Sequence, residues 1–263
     1  MHTHFCKYIL GLSEKSSNLA SRIELGRTPM ELVIKTKIIK YWQRLALLPN
    51  NHILKRVYLE NIELDNKLSK NVWASCPRVT LESNGWGIGW YNNPNYVNIS
   101  NFKNCLLNQL QQRVHEALYN DQVKFGTGNK LRTYREFKDG INCESYLSDV
   151  SNFKHRKAFT KLRTSDHKLQ IEVGRHNKTP LNERFCKFCP SEIEDEKHFL
   201  MECTLYSDMR NELYNDINKD IIYFKNMNKD SQLRILLQPH ARVAVLVTRF
   251  VYGASCRRKD SID

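Results

Sequence analysis

Four potential metal ligands lie in one short segment, with the spacing Cys186-x2-Cys189-x8-His198-x4-Cys203, and they restrict the fold more than any other feature. Zinc is held tetrahedrally by thiolates and imidazoles at about 2.0–2.3 Å, and a Cys-x2-Cys pair supplies two thiolates from one tight turn. Residues 194–203 have a helical pattern, and a helix that ends near Cys203 would let its thiolate turn back toward the other ligands. The spacing therefore predicts one structural Zn²⁺ ion, with no coordination position left for a substrate.

Two other interpretations of the cluster remain open. Cys186 and Cys189 could form a redox pair or a disulfide, although no strand–turn–helix context precedes them and His198 and Cys203 would then have no role. The cluster could also be a coincidence among the eight cysteines of the chain. The other cysteines are scattered singly, which is typical of buried thiols, and they are Cys6, Cys76, Cys105, Cys143 and Cys256.

No segment of the sequence predicts export or a membrane span. Residues 1–12 lack the apolar core of a secretory signal, and the apolar run at 243–251 is too short to cross a bilayer. We therefore expect an intracellular protein, in the nucleus or the cytoplasm, that has no membrane contact. In a reducing compartment, cysteines serve as thiols or metal ligands more often than as disulfides.

Apolar residues recur at helical spacing over most of the chain, which predicts a mainly α protein. Gly85, Gly87 and Gly89 lie among tryptophans, and no Lys-Ser pair follows them, so they indicate a helix end and a turn rather than a phosphate-binding loop. The clearest predicted helices span residues 16–25, 29–47, 53–62 and 102–118.

The predicted organisation has four parts. It begins with a helical bundle and ends with a helical tail whose last basic residues, 257–259, are expected to fray. Between them lie an irregular basic connector, which opens on a polar linker at 121–130, and a small CCHC zinc knuckle. The boundaries of these parts are 1–120, 121–184, 185–210 and 211–263.

The charge balance favours a polyanionic partner. The chain has 41 Lys and Arg residues against 28 Asp and Glu residues, a formal net charge of +13, and such an excess is most often used to bind nucleic acid. A basic but merely solvated surface is the alternative. We expect basic side chains to follow the phosphates of single-stranded RNA or DNA, and one aromatic ring to stack on a base. The predicted contacts are Arg156, Lys157, Lys161, Arg163, Arg175, Lys178, Arg184, Lys187 and Phe188.

The other side chains of the cysteine segment have different expected roles. Phe185 and Phe199 are expected to fill the small core around the metal. The loop 190–197 is polar and acidic, and it is expected to stay in water. Its acidic residues argue against a nucleic-acid surface on that side of the loop.

Several segments of the sequence are similar to those of one known family. At the cysteine cluster they are Phe185-Cys186-Lys187-Phe188-Cys189, Glu194-Asp195-Glu196-Lys197-His198-Phe199-Leu200 and Cys203-x2-Tyr206-x3-Arg210, and before it Lys161-Leu162-Arg163-x3-His167-x-Leu169-x2-Glu172-x-Gly174-Arg175. Near the N-terminus they are Phe5-Cys6-Lys7-Tyr8-Ile9-Leu10-Gly11, Asn18-Leu19-Ala20 and Glu24-Leu25-Gly26-Arg27-x-Pro29. They resemble the region C-terminal to the reverse transcriptase domain in non-LTR (LINE-like) retrotransposon polyproteins. The resemblance implies a part that grips template RNA or target DNA for a reverse transcriptase domain present in the full-length relative. The chain has no Tyr-x-Asp-Asp polymerase motif and no Asp-Asp pair, so the resemblance implies a truncated copy without polymerase or nuclease chemistry.

Three hypotheses on function follow from these patterns. The first is a zinc-containing, nucleic-acid-binding remnant of a mobile element that is not an enzyme. The second is a helical scaffold that binds protein partners, is stabilised by zinc at one end and has no nucleic-acid role. The third is an enzyme that uses Cys143, His155 or His167 with Asp166, but the chain lacks a nucleophile elbow, a phosphate-binding loop and a His-Glu-x-x-His motif.

Overall fold

The computed structural model describes residues 2–68, 73–91, 93–119, 130–138 and 140–262. Within these ranges the chain is built from helices and contains no β-strand, only the isolated bridges Leu25–Cys143 and Phe185–Ile193. The prediction of a mainly α fold is therefore confirmed. None of the helices in the described ranges combines the length and the apolar character needed to cross a bilayer.

The helices vary from single turns to long, regular elements. In chain order they are α1 (His2–Leu10), α2 (Asn18–Glu24), α3 (Met30–Ala46), α4 (Ile53–Leu68), α5 (Ser75–Glu82), α6 (Gly87–Tyr91), α7 (Ile99–Tyr119), α8 (Tyr134–Phe137), α9 (Tyr146–Asp149), α10 (Phe153–Arg163), α11 (Gln170–His176), α12 (Ser207–Asp220), α13 (Lys229–Leu237) and α14 (Ala241–Asp260). Short 3₁₀ turns lie at Pro94–Tyr96, Leu181–Glu183, Thr204–Tyr206 and Phe224–Asn226, and a π-helical turn spans His198–Glu202.

The chain divides into two compact units. The smaller unit is Thr28–Val114, and the larger unit combines Met1–Arg27 with His115–Asp263. This division differs from the predicted one, because α1 and α2 belong with the C-terminal half of the chain, where α1 contacts α10. The predicted boundary at residue 120 and residues 121–129 of the predicted linker at 121–130 lie outside the described residues.

The smaller unit is organised around Trp42 of α3. The Trp42 ring stacks on Trp90, with centroids 5.6 Å apart, and its Nε1 donates a hydrogen bond to the Tyr58 hydroxyl at 2.9 Å. Of the glycine run, Gly85 lies in the predicted turn, which follows the end of α5, and Gly87 and Gly89 lie in α6. Gly85 adopts a left-handed φ of +79°, a conformation that glycine enters at little cost.

The larger unit is organised around α14. One face of this helix, which includes Val247, Phe250 and Val251, is buried where α10 and α12 pack against it. The predicted fraying at 257–259 is wrong, because α14 continues to Asp260. Two ion pairs hold its last turn: Arg257 Nη2 lies 2.9 Å from Asp208, and Arg258 Nη2 lies 2.7 Å from Glu194.

The region 121–184 is not an irregular connector over its described length. It contains α10 and α11, and both pack into the larger unit. Phe159, Leu162 and Ile171 supply their buried apolar faces. An amphipathic helix is recognised in a sequence by its stripe of apolar residues. In this region the apolar residues are few among many charged ones, so the two helices were not predicted.

Candidate metal centre

A short antiparallel loop presents the first two cysteines. The Cys186 amide donates to the Glu192 carbonyl at 2.7 Å, and the Glu192 amide donates to the Cys189 carbonyl at 2.9 Å. One step further out, the Glu194 amide donates to the Arg184 carbonyl at 3.0 Å. These bonds close a tight turn in which Cys186 and Cys189 lie side by side.

A π-helical turn presents the other two ligands. Asp195 Oδ1 accepts a hydrogen bond from the His198 amide at 2.7 Å and so caps the turn. The Cys203 amide donates to the His198 carbonyl at 2.8 Å, five residues earlier, which is the spacing of a π-helix. The helix was predicted to end near Cys203, and it does. The wider turn brings the Cys203 side chain back beside His198.

The distances fit one metal ion. Sγ of Cys203 lies 3.9 Å from Sγ of Cys186 and 4.0 Å from Sγ of Cys189. A tetrahedral ion with metal–sulfur bonds of about 2.3 Å requires sulfur–sulfur separations of about 3.8 Å. The three sulfurs and a His198 ring nitrogen all lie within 4.8 Å of one another. The four residues could therefore hold one metal ion, and all three cysteines are free thiols rather than a disulfide.

The environment of His198 is an independent indication that the site could hold a cation. The residue is only 2% exposed, and neither ring nitrogen has a hydrogen-bond partner. A buried polar atom without a partner costs about 1–3 kcal/mol, so buried polar groups are nearly always satisfied. A metal ion at the three sulfurs would supply the partner that one of these nitrogens lacks.

The thiols differ in their electrostatic surroundings. Burial raises the pKa of Cys203 to about 12, and the neighbouring thiolates add to the effect. Burial also raises the pKa of Cys186. Burial opposes ionisation of Cys189 as well, but hydrogen bonds from Thr204, whose Oγ1 lies 3.3 Å from the sulfur, outweigh it and lower its pKa. Three thiolates packed together would need a cation, and a metal ion held there would displace the thiol protons.

Buried ion pairs surround the segment that bears the ligands. Glu194 accepts two hydrogen bonds of 2.7 Å from Arg258. Glu196 pairs with Arg132 and accepts from His167 Nε2 at 2.9 Å. Burial opposes ionisation of Glu196, but the hydrogen bond from His167 and the positive charge of Arg132 outweigh it and lower its pKa to about 2.

The prediction that the acidic loop 190–197 stays in water holds only in part, because residues 190–192 are exposed but two carboxylates of the loop are buried. Glu194 is 2% exposed and Glu196 is 1% exposed. Each holds a backbone or side-chain partner that is distant in the sequence, so their acidity serves the fold. They also do not form an acidic surface that would repel nucleic acid, because their charge is buried and paired.

Two of the predicted nucleic-acid contacts are wrong. The Arg163 side chain is fully buried, donates to Glu24 at 2.8 Å and to Glu144 at 2.6 Å, and lies 4.5 Å from the Phe137 ring centroid. Arg184 is 2% exposed and donates to the Ile171 and Thr179 carbonyls at 2.9 and 2.8 Å. Neither guanidinium can reach a phosphate, because each is already enclosed by its own protein partners.

The other predicted contacts lie at or near the surface. Lys157, Lys178 and Lys187 are exposed. The half-buried ones have protein partners: Arg156 donates to the Ser151 carbonyl, Lys161 lies 4.0 Å from Asp166, and Arg175 donates to Glu172 at 2.9 Å.

The three phenylalanines near the metal ligands differ in burial, and only part of the prediction for them holds. Phe199 is 2% exposed and fills the core beside the site, as predicted. Phe185 is 44% exposed, so its predicted core role is wrong. Phe188 is half-buried, and it borders an open depression with Cys189 and His198.

Two of the residues considered for an enzyme, His167 and Asp166, make structural contacts. His167 uses one ring nitrogen on Glu196 and the other to accept from the Leu169 amide at 3.3 Å. Asp166 accepts from the Ser13 amide at 2.8 Å. These bonds fit a structural role for both residues.

Sequence reasoning missed the residues that support the ligands from other elements. Arg210 donates to the Leu200 carbonyl at 3.0 Å and to the Cys203 carbonyl, so α12 braces the π-helical turn. Thr204 contacts Cys189, and Arg258 anchors Glu194 from the end of α14. Only Arg210 carried a signal, through its place in the motif that begins at Cys203.

Comparisons with protein-family models, with curated proteins and with solved structures give no match to this chain. The functional interpretation of the site therefore rests on its residues and geometry.

Proposed function

We propose that the chain binds one structural Zn²⁺ ion through Cys186, Cys189, His198 and Cys203, and that the larger unit, stabilised by this ion, binds single-stranded nucleic acid without catalysing a reaction. The observation that carries the proposal is the buried imidazole of His198. Its nitrogens have no protein partner, and one of them lies with three thiol sulfurs in the arrangement of a four-coordinate metal site.

The donor set favours zinc over the other common cations. Three thiolates and one imidazole form a typical structural zinc site, whereas Ca²⁺ and Mg²⁺ prefer oxygen ligands. All four positions are occupied by protein atoms, which is the mark of a structural rather than a catalytic ion. The ion would join the loop at 186–189 to the π-helical turn, with a binding free energy on the order of 10 kcal/mol that supports folding.

The placement of charge supports a polyanionic partner. Among the described residues the core buries equal numbers of acidic and basic side chains, namely Glu24, Asp65, Glu172, Glu194 and Glu196 against Lys7, Lys138, Arg163, Arg184 and Arg210. Burial therefore cancels none of the basic excess, which remains on the accessible residues. Nucleic-acid backbones are the commonest partner for such an excess.

The proposed contacts lie on α10, on α11 and the segment that follows it, and on the loop 186–189. Basic side chains would follow the phosphates, and Phe188, which lies between the paired cysteines, would stack on a base. Arg163 and Arg184 are excluded because they are buried. The proposed contacts are therefore Arg156, Lys157, Lys161, Arg175, Lys178, Lys187 and Phe188.

The origin that we propose is a non-LTR retrotransposon polyprotein, in its region C-terminal to the reverse transcriptase domain. The support is the sequence resemblance, and several of its residues act together in this fold. Arg163 joins α2 to α10, Arg184 packs on Gly174, and Glu194 and Glu196 hold the metal segment. The charged residues of the motif therefore stabilise one fold together. This fits descent from an ancestor that had the same fold.

Nucleic-acid binding is tested by fluorescence anisotropy of the zinc-loaded chain with a labelled single-stranded RNA over a range of salt concentrations. The logarithm of the affinity should fall linearly with the logarithm of salt, by about 0.7 per phosphate contacted. Lys187→Ala should weaken binding for all sequences and reduce this slope by about 0.7. Lys40→Ala, an exposed lysine of the smaller unit, is the matched control and should change neither. Absence of binding at about 0.15 M salt would contradict the proposal.

A protein-interaction scaffold is the second candidate, and exposed apolar side chains of the smaller unit favour it. Ile53 is 65% exposed, Ile88 is 66% exposed, and Ile34 and Val79 are also more than half exposed. Where such side chains form one contiguous patch, they are typical of a surface that contacts another protein. Saturable binding of a protein partner that Ile53→Ser weakens, together with no RNA binding, would favour this candidate.

A further inference from the structure

The metal site leaves one polar atom of His198 unexplained. A histidine binds a metal through one ring nitrogen, and both nitrogens of His198 are buried without a partner. The nitrogen that does not bind the metal carries a proton in the neutral ring, so it needs an acceptor. Histidines that bind metals almost always donate this N–H to a carboxylate, a carbonyl or a water molecule.

Two carboxylates lie close enough to serve. One oxygen of Glu192, one oxygen of Glu202 and a ring nitrogen of His198 all lie within 4.8 Å of one another. Glu202 is the last residue of the π-helical turn that His198 begins, so the two side chains lie on nearly the same face. Its Oε1 accepts a hydrogen bond from Nζ of Lys229, on α13, at 3.0 Å, and all three side chains border the same open depression.

We propose that Glu202 is a positioning residue of the metal site and that its carboxylate accepts the hydrogen bond from the His198 ring nitrogen that the metal does not use. The inference rests on the proposed zinc site. The hydrogen bond fixes the tautomer and the orientation of the imidazole and strengthens it as a ligand.

The charges around Glu202 support this assignment over Glu192. Zinc with three thiolates carries a net negative charge, so another carboxylate nearby is unfavourable unless a cation accompanies it. Lys229 pairs with Glu202 and supplies that cation. Glu192 is exposed to water, which would compete for its hydrogen bonds, whereas Glu202 is half-buried.

The test uses the full chain loaded with zinc and measures the dissociation constant by competition with a chelator. Glu202→Ala should raise the constant about 10- to 100-fold, the usual effect of removing such a partner. Glu202→Gln keeps the size of the side chain and an oxygen acceptor, so it should restore part of the affinity. Glu192→Ala is the matched control and should change the constant by less than about 3-fold.

A second readout separates positioning from general stability. In ¹⁵N NMR of the zinc-loaded chain, the unligated ring N–H of His198 should give a slowly exchanging signal in the wild type and in Glu202→Gln. The same signal should be lost in Glu202→Ala, even where circular dichroism shows an intact fold.

Each contrary result identifies which claim fails. Wild-type affinity and an unchanged His198 signal in Glu202→Ala would overturn the role of Glu202 and leave the zinc site intact. An equal loss in Glu192→Ala would overturn the choice between the two carboxylates. A wild-type chain that retains no zinc would overturn the proposed site, and this inference with it.

Discussion

Replacement of Arg163 by methionine tests whether the most basic segment of the chain builds the fold or contacts a ligand. The Arg163 side chain is fully buried between Glu24 and Glu144, and Glu24 is itself fully buried. Methionine fills a similar volume but leaves Glu24 without its cation. Removal of one partner from a buried ion pair typically costs about 3–5 kcal/mol, because the other charge remains buried and unpaired.

A second change isolates the ion pair from packing. In Glu24→Gln with Arg163→Met, no unpaired carboxylate remains at that position, so a substantial part of the lost stability should return. Arg163→Lys keeps the positive charge but loses the planar fork that reaches Glu24, Glu144 and the Leu237 carbonyl together, so its cost should be intermediate.

The assay is urea unfolding followed by two probes. All four tryptophans (Trp42, Trp73, Trp86 and Trp90) lie in the smaller unit, so tryptophan fluorescence reports that unit. Far-ultraviolet circular dichroism reports the helices of both units and should show the loss caused by Arg163→Met. A loss below about 1 kcal/mol, combined with weaker RNA binding, would refute the structural role and return Arg163 to the contact surface.

Three further predictions concern the metal, acid stability and packing. Zinc removal by a chelator, or His198→Ala, should lower the stability of the larger unit by several kcal/mol and should be visible as a lower melting temperature by circular dichroism. Hydrogen bonds from Arg78 and Ser75 lower the pKa of Asp65. Its carboxylate therefore contributes stability above its unfolded pKa of about 3.9, and this contribution is lost as the pH falls through the lower folded value. Asp65→Asn should remove this pH dependence, as measured by tryptophan fluorescence between about pH 2 and 5. A Cβ on Gly174 would lie 2.6 Å from Cγ of Arg184, which is buried and held by hydrogen bonds, so Gly174→Ala should destabilise the larger unit by about 1–3 kcal/mol in urea unfolding.

Each of these three predictions has a control variant or a result that would contradict it. A chelator that leaves the melting temperature unchanged would contradict the stabilising metal. Glu63, an exposed partner of Lys67 in the smaller unit, is the control for Asp65, since exposed pairs contribute little to stability. At Gly140 a Cβ would meet its nearest neighbour at an ordinary 3.5 Å, so Gly140→Ala should cost less than Gly174→Ala. Equal costs would contradict the packing argument.

The parts of the structure that depend on local spacing could be predicted from the sequence. The cluster of Cys186, Cys189, His198 and Cys203 follows from a tight turn and a short helix, and its members do lie together. The long helices α3 and α7 follow from apolar residues that recur every three or four positions. In both cases the residues that decide the outcome are near neighbours in the chain.

The parts that depend on distant partners could not be predicted. Arg163 meets Glu24, which lies 139 residues away, and without that pairing a buried arginine looks the same as a surface one. Glu194 is buried because Arg258, 64 residues away, neutralises it. Charge composition gives the number of ionised groups but not their burial, so the basic surface was overestimated by two arginines. The packing of α1 and α2 with the C-terminal half is hidden for the same reason.

The metal content of the purified chain tests the central claim most directly. Native mass spectrometry of protein expressed in zinc-supplemented medium should show one zinc ion per chain. Cys189→Ser and His198→Ala should each reduce or abolish it, while Cys76→Ser, an exposed cysteine of the smaller unit, should retain it. A wild-type chain that is folded without any bound metal, and whose melting temperature a chelator does not change, would contradict the account.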